Sequence, residues 1–209
     1  MRTIILWMLI SYFIGSIPTG WLITKLFHKD ENGKRDNLDI RTFGSGNIGA
    51  ANVKRAMGIG WAVFVAFVDI FKGAFALLLV AGVGSYEDPG LLAALSAFAA
   101  VIGHNYTCWL KFKGGKGVAT TYGTLFFLWP YKSFAIVLLC GAIWYAVMKI
   151  TRYVSLASML SLLAMPLFFW MLDAPKEFTI VAGVLAVLCV YRHKSNISRL
   201  MAGNENRLK

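Results

Sequence analysis

The sequence predicts an all-α, polytopic integral membrane protein with seven transmembrane helices, the fourth short, the N-terminus outside and the C-terminus cytoplasmic. Three observations predict it. Of 209 residues 58% are hydrophobic, with mean hydropathy +0.63, more than a soluble domain of this length carries. Apolar runs recur near 4–27, 56–83, 90–110, 131–149, 153–172 and 178–191, with a shorter one at 118–129; a bilayer core about 30 Å thick requires roughly 20 such residues per helix. The formal charge of +11 is also unevenly placed along the chain.

The first run continues through Pro18 and Gly20 into basic residues without a small-residue cleavage site, so it reads as a span rather than a removed signal peptide. The short run at 118–129 decides the sidedness of everything after it. If it crosses, the basic residues of 25–55, 111–116, 149–152 and 192–209 share one side, and only Arg2, Lys132 and Lys176 lie opposite. The positive-inside bias makes the rich side cytoplasmic. A re-entrant run would instead put Lys149, Arg152 and the basic tail outside. Seven crossings follow.

No repeat or low-complexity tract divides the chain, which reads as a single domain over 1–209 with a charged, solvated cytoplasmic loop at 28–43. The cysteines Cys108, Cys140 and Cys189 lie in apolar runs without ligand-like spacing, so they suggest neither a disulfide framework nor a metal site.

The polar motifs cluster on the predicted cytoplasmic side: "GSGNIGAANVKR" (44–55), "GHNYTCWLKFKGGKGVAT" (103–120), "TRYVSLAS" (151–158) and "RHKSNISRLMAGNE" (192–205). Such clustering points to one composite site at the membrane surface, against four unrelated solvated loops. In "FKGGKGVAT", Gly114, Gly115 and Gly117 allow close backbone approach to a ligand. A helix beginning at Val118 would turn its unpaired N–H groups toward an anion, beside Lys113 and Lys116. The spacing lacks the nucleotide-binding pattern G-x-x-x-x-G-K-[ST]. A glycine turn whose lysines touch lipid headgroups is the alternative.

The 44–55 motif makes a second phosphate cradle from Ser45, Asn47, backbone N–H groups, Lys54 and Arg55, unless it is a simple helix cap. Two cradles suggest two phosphorylated substrates. Ser155 and Ser158 share one helical face, with Arg152 one turn earlier, and helix packing is their competing role. His193 and Asn196 face one pocket if their helix continues, and His193 and His104 are the candidate near-neutral acid–base groups. Asp69 and Lys72, three apart and deep in a span, read as a mutually satisfied structural pair.

With "YFIGSIPTG", "DIFKG" and "RYVSLAS" added to these motifs, nearly the whole chain resembles the bacterial acyl-phosphate:glycerol-3-phosphate acyltransferase family. The resemblance implies transfer of a fatty acyl group from acyl phosphate to the 1-hydroxyl of glycerol 3-phosphate, giving lysophosphatidic acid and phosphate in the bacterial inner membrane. The sequence shows no metal cluster and no cofactor motif, so neither a metal nor a cofactor is expected. The expected partners are acyl phosphate, glycerol 3-phosphate, membrane lipids and a possible soluble acyl-phosphate synthase, with no nucleic acid. By motif, Ser45 and Arg55 would hold phosphate, and Lys113, Gly114, Gly115, Lys116, Gly117 and Thr120 would form the glycerol 3-phosphate site. Ser155, His193 and Asn196 would complete the pocket, and Glu205 would be structural. The chain departs from the family in reading Ile48-Gly49-Ala50-Ala51-Asn52, with no threonine hydroxyl at Ala51, and in a longer loop over Lys29 to Leu38. A transporter or flippase of a phosphorylated small molecule is the alternative function, and an anionic-lipid scaffold the third.

Overall fold

The computed structural model describes residues 2–82 and 88–207. The segment "SYEDPG" (85–90), which reads as a short outer loop, therefore lies outside the described residues over 85–87. Among the described residues ten α-helices run in order: α1 (Arg2–Gly15), α2 (Thr19–Phe27), α3 (Ala50–Met57), α4 (Ile59–Gly82), α5 (Pro89–Asn105), α6 (Val118–Leu128), α7 (Pro130–Thr151), α8 (Val154–Met171), α9 (Lys176–Arg192) and α10 (Lys194–Met201). No strand occurs among the described residues.

The first apolar stretch is one run of 25 residues but two helices. Pro18 has no N–H to continue the ladder, and the break frees carbonyls inside the bilayer-depth core. Both find donors: Thr107 Oγ1 donates to the Ser16 carbonyl at 2.5 Å, and Lys72 Nζ to the Ile17 carbonyl at 2.8 Å. A broken span is tolerated in lipid when its backbone is paired in this way.

Small residues set the helix spacing. A Cβ on Gly15 would lie 1.9 Å from the Ala100 carbonyl oxygen, and one on Gly103 2.2 Å from that of Tyr12, so α1 and α5 touch backbone to backbone. Gly73 and Gly123 do the same for α4 and α6, at 2.5 Å from the Thr120 oxygen and 1.9 Å from the Ile70 oxygen. These contacts fix the short α6 against α4. The larger core gathers Leu125, Leu128, Leu162, Phe169 and Leu185, while Phe67, Phe71 and Phe75 of α4 face outward.

Among the described residues, length and apolar composition give five candidate spans, or six when α9 and α10, bent by 57°, are counted as one. At 11 residues α6 is about 16 Å long. Two expected boundaries move. The second span does not begin near residue 56, because Gly58, at φ +86°, separates α3 from α4. Nor is the 28–43 loop solvated throughout: His28 and Asp36 pair at 2.7 Å around an exposed tip, but Ile40 is fully buried with Ile23, Ile48 and Val53.

Candidate active site

The first loop is built around a buried asparagine. Asn52 donates through Nδ2 to the carbonyls of Ile40 (3.1 Å) and Phe43 (2.9 Å), and its Oδ1 accepts from the Ser45 N–H at 3.0 Å and Arg55 Nη1 at 3.4 Å. One side chain from α3 thus holds both ends of the 40–45 segment. Gly44 (φ +56°) leaves room for it, since a Cβ there would meet Asn52 Oδ1 at 2.4 Å. Asn47 Oδ1 caps the Gly49 N–H at 2.9 Å.

The glycine loop is fixed from below. Gly114 and Gly115 press on the C-terminal end of α5, where a Cβ would come within 2.1 Å of the His104 carbonyl and 2.0 Å of His104 Nε2 respectively. Their small size is demanded by this packing; of the three glycines expected to approach a ligand, Gly117 (φ +78°) is the one that lines the cavity, at the start of α6. Arg192 braces the loop by donating to the Gly115 carbonyl at 2.8 and 3.1 Å and the Gly114 carbonyl at 3.2 Å, while its guanidinium stacks on Tyr106.

The helix expected to continue through His193 instead bends there. His193 Nδ1 lies 2.8 Å from the Cys189 carbonyl, which can only accept, so the neutral ring carries its proton on Nδ1 and keeps Nε2 as an acceptor. The next turn brings Asn196, whose Oδ1 accepts from Lys116 and whose Nδ2 donates to Glu205 Oε1 at 2.6 Å. Glu205 also accepts from Ser155 Oγ at 2.9 Å and Arg199 Nε at 2.7 Å. Burial pushes the Lys116 ammonium down to about 8, with Glu205 opposing the drop and Arg199 adding to it. Burial opposes ionisation of Glu205, but the bonds from Asn196, Ser155 and Arg199 outweigh it and hold the carboxyl below its ordinary value.

These groups line one cavity of about 630 Å³. Of the residues expected at a site, Ser45, Asn47, Arg55, His104, Lys116, Gly117, Ser155, Ser158, His193 and Asn196 reach it. Lys113 is exposed outside the lining, Gly114 and Gly115 lie beneath the loop, and Thr120 is buried against Gly73 of α4. Arg152 is exposed in a left-handed turn that ends α7, so it does not share a helix with Ser155. Two residues without a local sequence signal also line the space, Tyr122 and Trp144, which donates to Ser158 Oγ at 3.2 Å, and so does Asp69, expected only as the partner of Lys72. Ile70, Val118 and Gly141 extend its wall with apolar surface. The result is a polar chamber with cationic groups on two sides and an apolar flank.

A family model described as glycerol-3-phosphate acyltransferase matches residues 5–203. A glycerol-3-phosphate acyltransferase of Gloeobacter violaceus is 40% identical over 95% of this chain and 91% of its own. One of Thermus thermophilus is 41% identical over 96% and 93%. Among solved structures, PlsY, an integral membrane glycerol 3-phosphate acyltransferase, matches in its glycerol 3-phosphate form with a TM-score of 0.85 at 35% identity, covering 99% of this chain and 96% of that one. Its lysophosphatidic acid form matches with a TM-score of 0.82 at 34% identity over the same shares. On sequence, fold and site together, the chain belongs to the PlsY-like glycerol-3-phosphate acyltransferase family.

Proposed function

We propose that this acyltransferase takes its acyl group from an acyl phosphate and places it on the 1-hydroxyl of glycerol 3-phosphate, releasing lysophosphatidic acid and phosphate. The observation that carries this reading is the pairing of two cationic cradles across one cavity, Arg55 with Ser45 on one side and Lys116 with Asn196 on the other, beside an apolar wall. Two phosphates and one fatty chain fit that arrangement. The chain crosses the bacterial plasma membrane seven times, α6 included, with the cavity on the cytoplasmic side; the one-sided distribution of Lys and Arg supports this topology.

Attack is direct, with no acyl-enzyme. Ser155 and Ser158 donate their hydroxyl protons to Glu205 and to the Val154 carbonyl, which supports a structural use of both. An acyl phosphate already carries a good leaving group, so orientation of the hydroxyl and neutralisation of phosphate charge supply most of the acceleration. Arg55 and Lys116 stabilise the departing phosphate and hold that of the acceptor. His193 Nε2 orients the attacking hydroxyl, and the proton leaves to a substrate phosphate oxygen.

The purified protein is to be given glycerol 3-phosphate with palmitoyl phosphate, palmitoyl-CoA or palmitoyl carrier protein in turn. Product from the first donor alone supports the reading, and efficient use of either thioester contradicts it. Hydroxylamine trapping of a radiolabelled acyl-protein adduct would contradict direct attack.

A further inference from the structure

The polar loop that follows α2 has no part in the acyl-transfer reading. Residues 28–36 fold into a small hairpin, in which the Asp30 N–H donates to the Lys34 carbonyl at 2.8 Å and Lys29 stands opposite Arg35 in an antiparallel bridge. Directly opposed residues of such a pair carry their side chains on one face, and like charges so placed repel. The acids of the hairpin do not relieve the pair. Asp36 is taken by His28, 2.7 Å away, and Asp30 Oδ1 accepts the Asn32 and Lys34 N–H groups within the turn. Among the described residues neither Lys29 nor Arg35 forms an ion pair.

The two cations border a cavity of about 570 Å³, whose other walls are Phe27 and His28, Ala56 and Met57 of α3, and Trp61 of α4. No carboxylate lines it. Phe27 and Trp61 stack with ring centroids 5.0 Å apart, where α2 ends and α4 begins. Aromatic rings gather in this way where helices leave the membrane. Leu26, Ile59, Val63 and Phe64 on the same helix ends are exposed although strongly apolar, so lipid-facing surface adjoins the basic cavity.

We propose that this cavity binds the headgroup phosphate of an anionic glycerophospholipid from the cytoplasmic leaflet, held by Lys29 and Arg35, with the acyl chains along Leu26, Val63 and Phe64. The leaflet rests on the topology proposed above; the site itself does not depend on acyl transfer. One anion set between two like charges replaces their repulsion with two attractions. The guanidinium fork of Arg35 matches two phosphate oxygens, and the Lys29 ammonium adds a compact charge. A free anion would satisfy the cations but leave the adjoining apolar surface without a partner. A zwitterionic lipid brings its own ammonium to a cavity that already holds two cations. A lipid of net negative headgroup answers both features. Its place is also pointed: α3, which walls this cavity with Ala56 and Met57, presents Asn52 and Arg55 to the catalytic one.

The test is native mass spectrometry of the full chain in neutral detergent, titrated with dioleoylphosphatidylglycerol and, separately, with dioleoylphosphatidylcholine. The first phosphatidylglycerol is expected to bind at least about tenfold more tightly than phosphatidylcholine, and Lys29→Gln with Arg35→Gln should weaken it about tenfold or more, on the scale of two basic residues at a lipid headgroup. A matched control, Lys111→Gln with Lys149→Gln, removes two exposed charges elsewhere and should change that affinity less than about twofold. In lipid-free detergent the first pair should leave the thermal midpoint unchanged or raise it, because a like-charge contact is relieved. Inorganic phosphate at the lipid's concentration should displace no bound lipid. Equal weakening in both pairs would reduce the binding to a general basic surface, and equal binding of phosphatidylcholine would remove net charge as the basis of recognition. Displacement by inorganic phosphate would make the ligand a soluble anion, and a lowered midpoint would assign the two cations to the fold. Each of these four outcomes overturns the proposal. No readout requires turnover, so a chain that fails to acylate glycerol 3-phosphate refutes the acyltransferase reading and still decides this one.

Discussion

The Asn196 amide donates to Glu205 Oε1 at 2.6 Å, and this one bond determines which end of the amide meets Lys116. With Nδ2 committed to the carboxylate, the oxygen is left to receive the ammonium. Glu205 sits beyond α10, where the chain turns back at Gly203 (φ +70°), and through Ser155 it also ties in the first turn of α8.

Replacing Glu205 by alanine strands three donors, from Asn196, Ser155 and Arg199, and frees the Asn196 amide to flip. A loss in kcat of at least about tenfold and a lower thermal midpoint are expected, measured on matched detergent preparations. Glu205→Gln tests the charge alone. Because the folded carboxyl lies below its unfolded value near 4.5, its contribution to stability is present above that value and lost as pH falls through the folded one. Wild type should therefore lose stability in acid faster than Glu205→Gln, and parallel acid profiles would contradict this.

Lys116 loses its charge as pH rises through about 8. The KM for glycerol 3-phosphate should rise above that pH while remaining level below it. Arginine stays protonated throughout this range, so Lys116→Arg, even if less active, should lack the alkaline rise. An identical alkaline limb in both proteins would assign it to another group.

Asn52 lines the cavity with Ser45 and Arg55 and accepts from both. Asn52→Ala leaves the Ile40 and Phe43 carbonyls and the Ser45 N–H without their partner. A loss of about 1–3 kcal/mol in stability is expected for such stranded groups, together with a kcat lowered more than the KM for glycerol 3-phosphate is raised. Full activity at reduced stability would confine Asn52 to a folding role.

The glycines divide into two classes by what surrounds them. Gly123→Ala would drive a Cβ to 1.9 Å from the Ile70 carbonyl oxygen and should separate α6 from α4, with loss of folded protein. Gly60 and Gly141 meet nothing within 4 Å, and alanine there should be neutral or stabilising by a few tenths of a kcal/mol up to about 1 kcal/mol. Chromatographic monodispersity and the thermal midpoint measure both.

What was legible in the sequence was the pattern that a local motif carries. The helical class, the start of α6 at Val118 and the convergence of Ser45, Lys116, Ser155 and His193 follow from hydropathy, glycine runs and charge sidedness. What was hidden depends on neighbours distant in the chain. Gly114 and Gly115 read as ligand contacts because nothing in "FKGGKG" reveals that α5 lies against them. Trp144 and Tyr122 are aromatic residues inside apolar runs, where lining a cavity and packing a core look alike. The bend at His193 was invisible for a related reason: no proline or glycine marks it, and the turn is held by His193 bonding back to Cys189 and forward to Asn196. Asp69 gave a correct pairing with Lys72 but no hint of His104, thirty-five positions on in the sequence.

The central claim is that one cavity brings an acyl phosphate to glycerol 3-phosphate, and phosphate release by the purified protein tests it most directly. With palmitoyl phosphate, release is expected to depend on added glycerol 3-phosphate, to match lysophosphatidic acid formed one for one, and to fall at least about a hundredfold in Lys116→Ala. It should persist in chelator, since Arg55, Lys116 and their cationic neighbours neutralise the phosphates. Glycerol 3-phosphate bound by a folded wild-type sample with no phosphate released would contradict the account and leave a binding or transport protein in its place.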